Sequence, residues 1–157
     1  MTVWDAQSIT LIAASYLIGA VPSAYLVARL FQGIDIRRYG SGSAGISNVF
    51  VQAGLKAAVP LVLFDTIVKG SLPVILASDL VFDMGLAVEV TAGFASVLGH
   101  NWSVFMRFRG GRGLATASGA MVTLNWPLPV LYSQAALLGL MLRKDSAAGW
   151  AISAITL

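Results

Sequence analysis

The sequence predicts an all-α fold, a multi-pass transmembrane helix bundle with about five spans plus a partial sixth. Three observations carry that prediction. Of 157 residues, 57% are hydrophobic and only 11% are charged, whereas a soluble domain averages about 25% charged residues. That is more apolar surface than a soluble core can hide, and the mean hydropathy of +0.81 agrees. Apolar runs near the ~20 residues a membrane helix needs recur along the chain. Basic residues gather in alternate breaks between those runs, as the cytoplasmic bias of Lys and Arg requires.

The elements follow in order. Residues 1–7 carry no positive region and no cleavage signal, so the first apolar run reads as a retained span and not a signal peptide. That run is 8–30, with Gly19, Pro22 and Ser23 in its middle, where neighbouring helices can satisfy freed carbonyls. A polar stretch rich in Gly and Ser covers 31–48. The second apolar block, 49–78, contains Lys56, Asp65 and Lys69 and is weaker over its first turns. An acidic break at 79–84 precedes a slightly short third span, 85–101, with Glu89 inside it. Residues 102–113 form a compact basic loop. The apolar stretch 114–142 is interrupted at Asn125-Trp126-Pro127 and reads as two short helices joined by a turn, because proline disfavours helix at the residue before it. A break at Arg143, Lys144 and Asp145 leads into 146–157, which is too short to span.

With the N-terminus outside, the inner loops hold Arg29, Arg37 and Arg38, then Arg107, Arg109 and Arg112, then Arg143 and Lys144, eight of the ten basic residues. The outer side receives Asp5, Asp79 and Asp83. Trp4 and Trp126 fall near outer edges and Trp102 near the inner edge, as interface anchors would, and Lys56 can snorkel from its helix start. With no linker or internal repeat, residues 1–157 read as a single domain. A net charge of +3 is too small to point to a nucleic-acid partner. The absence of cysteine excludes disulfides and thiolate sites, and a single histidine argues against a metal cluster.

Two predicted cytoplasmic loops share an unusual composition. The first, 39–48, reads Tyr-Gly-Ser-Gly-Ser-Ala-Gly-Ile-Ser-Asn, and the second, 107–116, reads Arg-Phe-Arg-Gly-Gly-Arg-Gly-Leu-Ala-Thr. Glycines let backbone N–H groups converge on an anion. The helix that follows adds its positive end, and arginine adds a planar fork of donors. Neither loop has the spacing of a nucleotide P-loop. Each has a plainer reading, a flexible turn or a topology determinant. Asp65 and Lys69 lie four apart on one helix face, either a functional pair or an ion pair that makes the helix insertable.

These residues resemble a known family, the bacterial membrane glycerol-3-phosphate acyltransferases that use acyl-phosphate as donor (the PlsY family). The resemblance rests on 16–25, 33–42, 45–54, 63–73 and 99–116, in order and in register over nearly the whole chain. It implies transfer of a fatty acyl group from acyl-phosphate to glycerol 3-phosphate in phospholipid biosynthesis, giving lysophosphatidic acid, with no metal or other cofactor. The implied setting is the plasma membrane, with membrane lipids as partners. Ser41, Gly42, Ser43 and Gly45 would then cradle one phosphate, and Asn48 would bind substrate or close the loop. Arg109, Gly110, Gly111, Arg112 and Gly113 would form a second phosphate site, with Thr116 adding a hydroxyl and Lys69 a cation. His100 has the pKa for proton transfer near neutrality. With Ser41 it forms the implied catalytic pair, His100 assisting the attacking hydroxyl or orienting substrate, although acyl-phosphate needs no acyl-enzyme on Ser41. The plainer role for His100 is to cap helix carbonyls.

The chain departs from the family pattern at four positions. Val51 stands where the family has Arg, Ser43 where it has Asn, Ser103 where it has Pro, and Arg112 where it has Lys. The family also ends with two further helices and a basic motif, of which this chain reaches only the first turns, so the sequence is either a fragment or lacks a third of the site. The alternative expectation is therefore a catalytically impaired relative that binds membrane lipids or partners.

Overall fold

The structure is a computed structural model and describes residues 4–125. All regular elements among the described residues are helical. Asp5 opens α1 (Ala6–Ala20) by accepting the Ser8 N–H at 2.8 Å. The predicted span 8–30 is two helices and not one: the chain breaks at Val21-Pro22 and resumes as α2 (Ser23–Gln32). Pro22 lacks the N–H that would continue the ladder, and its ring disfavours helix at Val21. The break sends the two halves to different neighbours, α1 against α6 and α2 against α3 and α4.

The second apolar block also divides. α3 (Ile46–Ala53) ends at Gly54, whose φ of 76° turns the chain, and the long apolar helix begins only at Leu55. It runs to Ala77 as α4 (Leu55–Leu63), a π-helical segment (Phe64–Ser71) and α5 (Leu72–Ala77). Pro73 has no N–H to give the Lys69 carbonyl four residues back. The Ser96 hydroxyl of α6 supplies that bond at 2.6 Å. This arrangement satisfies a backbone group that a membrane interior would leave bare, and it ties the segment bearing Asp65 and Lys69 to α6.

After the turn at 78–85, α6 (Leu86–Asn101) crosses back, the basic loop follows, and α7 (Leu114–Leu124) stops at Asn125, where the sequence predicts a break. The rest of that break, the second short helix, Trp126, the Arg143-Lys144 loop and the partial sixth span lie outside the described residues. Helices approach through small residues: a Cβ on Gly19 would collide with the Ser96 backbone, and one on Gly99 with the Tyr16 carbonyl. Membrane helices, which lack a hydrophobic drive to associate, pack in this way.

The burial pattern is the inverse of a soluble protein. Two small apolar clusters, around Ala28, Val49 and Leu61 and around Leu11, Val88 and Ala92, share the interior with Ser15, Asp65, Lys69, Ser96, His100 and Thr116. Large apolar side chains point outward, among them Ile9, Leu26, Leu30, Ile67 and Phe94. Such an exterior suits lipid and would be an aggregation hazard in water. Among the described residues, two helical stretches, Ala6–Gln32 and Leu55–Ala77, are long and apolar enough to cross a membrane.

Candidate active site

A buried polar network forms where α2, the π-helical segment, α6 and α7 meet. Lys69 Nζ lies 3.0 Å from Asp65 Oδ1 and 2.7 Å from Ser23 Oγ, and the Ser23 hydroxyl donates to Asp65 Oδ1 at 2.7 Å. Asp65 and Lys69 are each 1% exposed. The pair survives there because each charge faces its partner and a hydroxyl. The third neighbour of Lys69 Nζ is His100 Nδ1 at 3.3 Å, and Thr116 Oγ1 sits 3.3 Å from the same nitrogen. His100 therefore docks its Nδ1 edge on the network, and the residue also lines a cavity.

That cavity, about 340 Å³, is walled by Ser41, Ser43 and Gly45 on one side and by Arg112 and Gly113 on the other, with His100 and Asp65 at its base. The first turns of α3 and α7 both open into it through Ile46 and Ser47 and through Leu114 and Ala115. Each helix is preceded by glycine, Gly45 or Gly113, with no side-chain cap. The leading N–H groups of both helices thus lack intrahelical acceptors and are unblocked by a capping oxygen. Two positive helix ends and one guanidinium share a single enclosure, which is the electrostatic prescription for an anion.

A second cavity, about 570 Å³, lies across the same loop and is lined by Arg37, Arg38, Arg107 and Arg109, with Asp35 at its edge. Residues 41–45 are the partition: Ser41, Ser43 and Gly45 line the first cavity, Gly42 and Ala44 the second. Each loop thus contributes to both cavities, whereas the sequence reading assigns one phosphate to each loop. Asp35 organises the rim by taking a bidentate pair from Arg37 at 2.8 and 2.7 Å, which holds its carboxyl down at about 2. Arg37 in turn lies over the Tyr25 ring, 5.2 Å from its centroid.

The expected site residues divide by role. Ser41, Ser43, Gly45, His100, Arg112 and Gly113 meet around the first cavity, and Gly42, Arg109 and Gly110 line the second. Asn48 closes the loop: its Nδ2 donates to the carbonyls of Ile36, Tyr39 and Ser43, and its Oδ1 accepts from Ser41 N. With those groups committed, the loop-closing alternative is the one the geometry fits. Gly110 and Gly111 give their N–H groups to the Asn101 and His100 carbonyls, so these donors cap α6 and do not face an anion. The N–H groups of Ser41, Gly42 and Ser43 are likewise taken inside the loop. Thr116 and Lys69 contact His100 from behind and line no part of the first cavity.

Sequence reasoning missed Ser23 and Asp35, and read Arg37 and Arg38 only as topology markers. The single available signal for Ser23 is a hydroxyl beside Pro22 in an apolar run. Two departures also have structural settings. Ser103 Oγ donates to the Ala20 carbonyl at the α1 break, so it ties the basic loop to α1. Val51 is 73% exposed on α3 and lines neither cavity.

Comparison with known proteins agrees with the family resemblance. The family model for glycerol-3-phosphate acyltransferase matches residues 9–157. Glycerol-3-phosphate acyltransferase 4 of Dehalococcoides mccartyi (strain CBDB1) is 46% identical over 77% of this chain and 50% of its own length. Glycerol-3-phosphate acyltransferase 5 of Dehalococcoides mccartyi (strain ATCC BAA-2266 / KCTC 15142 / 195) is 42% identical over 87% of this chain and 57% of its own. The chain thus spans about half the length of the curated relatives it matches. Among solved structures, PlsY, an integral membrane glycerol 3-phosphate acyltransferase, superposes in its glycerol 3-phosphate form with a TM-score of 0.86 at 30% identity, over 95% of this chain and 73% of that one. Its lysophosphatidic acid form gives 0.85 at 29% identity, over 96% and 73%. The chain belongs to the glycerol-3-phosphate acyltransferase family.

Proposed function

We propose that this protein transfers a fatty acyl group from an acyl-phosphate to glycerol 3-phosphate, giving lysophosphatidic acid and inorganic phosphate. The observation that carries this reading is the pair of cationic cavities separated by one loop, the first fed by two helix N-termini. Both substrates of that reaction carry a phosphate, and each cavity suits one. The first cavity, with Ile46, Leu114 and Ala115 beside Arg112, suits the acyl-phosphate, whose tail needs apolar surface. The second, with its arginines, suits glycerol 3-phosphate.

In the transfer, a glycerol hydroxyl attacks the acyl carbonyl carbon and a C–O ester bond forms. The bond from that carbon to the phosphate oxygen breaks, its electron pair leaves with the phosphate, and the phosphate accepts the hydroxyl proton. Positioning and charge neutralisation supply most of what such a step needs, because the mixed anhydride is already activated. Arg112, Ser41, Ser43 and the first N–H groups of α3 and α7 hold the departing phosphate, and His100 touches the reacting groups. No cofactor and no nucleic acid enters.

The setting is the plasma membrane, with the chain as a single multi-pass domain of about five spans and a partial sixth. The N-terminus lies outside and both motif loops face the cytoplasm, where the charge distribution over the loops puts them. Membrane lipids are the surrounding partners, and the outward-facing apolar side chains support this. The test is acyl transfer by the purified chain reconstituted in vesicles, with palmitoyl-phosphate and radiolabelled glycerol 3-phosphate. Labelled lysophosphatidic acid that disappears in His100→Ala is the expected result. Folded protein that yields none overturns the assignment.

A further inference from the structure

We infer that Lys69 is a positioning residue that locks His100 in one tautomer, with the ring proton on Nε2, so that this nitrogen is a fixed hydrogen-bond donor. What that donor meets, an oxygen of the acyl-phosphate, rests on the proposed function. The tautomer itself does not.

The inference comes from counting donors. Lys69 carries three N–H bonds and no acceptor. Among the described residues, three acceptors surround its Nζ: Asp65 Oδ1 at 3.0 Å, Ser23 Oγ at 2.7 Å and His100 Nδ1 at 3.3 Å. Ser23 spends its own proton on Asp65, so its oxygen is free to accept from Lys69. The third lysine proton then belongs to Nδ1. A proton on Nδ1 would face an ammonium group, and Asp65 Oδ2 at 4.0 Å is too far to accept it. The remaining polar neighbour of that nitrogen among the described residues, Thr116 Oγ1 at 3.3 Å, is a hydroxyl that can donate as readily as accept. Nδ1 is thus held as an acceptor, and a neutral imidazole with Nδ1 accepting carries its hydrogen on Nε2. Gly111 packs directly against Nε2, because a Cβ there would collide with it, and Gly110 and Gly111 are fixed by their bonds to α6. The ring is therefore held from both sides.

The chemical consequence is specific. A histidine locked this way stabilises negative charge on an oxygen and does not remove a proton from the attacking hydroxyl. Lys69 acts through His100 and needs no contact with substrate.

His100 is the only histidine in the chain, so ¹⁵N-histidine labelling yields one imidazole. Long-range ¹H–¹⁵N correlation spectra of the full chain in micelles at neutral pH read its tautomer directly. The native protein is expected to show an unprotonated Nδ1 and a protonated Nε2. In Lys69→Met, or in Asp65→Asn/Lys69→Met where both charges go together, the Nδ1 resonance should move toward the protonated range. Thr116→Val, which keeps the lysine, should leave it in place. A protonated Nδ1 in the native protein overturns the inference, and so does a spectrum unchanged by loss of Lys69. The expected spectra from a chain that makes no lysophosphatidic acid would sink the proposed reaction and leave the tautomer assignment standing.

Discussion

Removal of one charge from the Asp65–Lys69 pair should damage the protein far more than removal of both. Lys69→Met leaves the Asp65 carboxylate, 1% exposed, with the Ser23 hydroxyl as its one remaining close partner among the described residues. Asp65→Asn leaves an ammonium group at the same depth. Breaking a buried pair from one side costs about 3–5 kcal/mol, because the uncompensated charge stays out of water. The double variant removes both charges and retains similar volumes, a replacement that is often near neutral, so it should fall within about 1–2 kcal/mol of the native chain. The coupling between the two positions, the double effect minus the two single ones, is then larger than either single effect. At roughly 2–4 °C per kcal/mol for a protein of this size, each single variant should lose about 6–20 °C in Tm, and the double variant only a few degrees. Thermal unfolding in one detergent at one protein concentration, followed by circular dichroism, measures all four members of the cycle. Single variants that each cost under about 1 kcal/mol, or a double variant as unstable as the sum of the singles, would refute the paired and buried arrangement.

Two further predictions concern the loops. Gly111→Ala places a methyl against His100 Nε2 and 3.0 Å from the Ala44 carbonyl oxygen, so the ring must swing or the partition must shift. Overpacking of this kind costs about 1–3 kcal/mol, and if it falls on the reacting geometry, acyl transfer should drop about 10–100-fold at about 1.4 kcal/mol per tenfold. An unchanged kcat would show that the glycine is not required beside the imidazole. Asp35, whose carboxyl Arg37 holds down at about 2, binds its proton less readily folded than unfolded, where its value is near 3.8. Its contribution to stability is therefore complete above about 3.8 and is lost as pH falls through about 2. A pH titration of the Asp35 carboxyl by NMR should give a midpoint near 2, rising toward the ordinary range in Arg37→Gln. A midpoint that does not move would remove Arg37 as the cause.

Hydrophobic run length and loop charge made the helical class legible, and the glycine-rich loops pointed to an anion. The residues that broke the expected spans carried weaker signals. Pro22 is tolerated in many membrane helices, so nothing local says that it ends α1 and sends α2 to other neighbours. Gly54 turns the chain through its positive φ, a choice that shows only once α3 and α4 are seen as separate helices. Within the candidate site, composition pointed to the loops that hold Ser41, Ser43 and Arg112, but it could not tell a glycine that faces an anion from one that caps a helix. Gly110 and Gly111 cap, while Gly113 opens the first turn of α7. The pairing of Asp65 with Lys69 followed from four-residue spacing. Their link to His100 depends on where α6 ends relative to the π-helical segment, a tertiary fact set by Pro73, Ser96 and the close approach of small residues. The role of residues 41–45 as a partition was likewise invisible, because both of its faces are built partly from the other loop.

The most direct test of the two-cavity account is a pair of binding isotherms, one for glycerol 3-phosphate and one for a non-hydrolysable acyl-phosphate analogue, on the reconstituted native chain and on Arg109→Ala and Arg112→Ala. Loss of a charged bidentate contact is worth about 1.5–3 kcal/mol, or roughly 10–150-fold in Kd. The account predicts that Arg109→Ala weakens glycerol 3-phosphate by that factor and spares the analogue, and that Arg112→Ala does the reverse. Equal losses for both ligands in both variants would mean that the two loops build one undivided site and would contradict it.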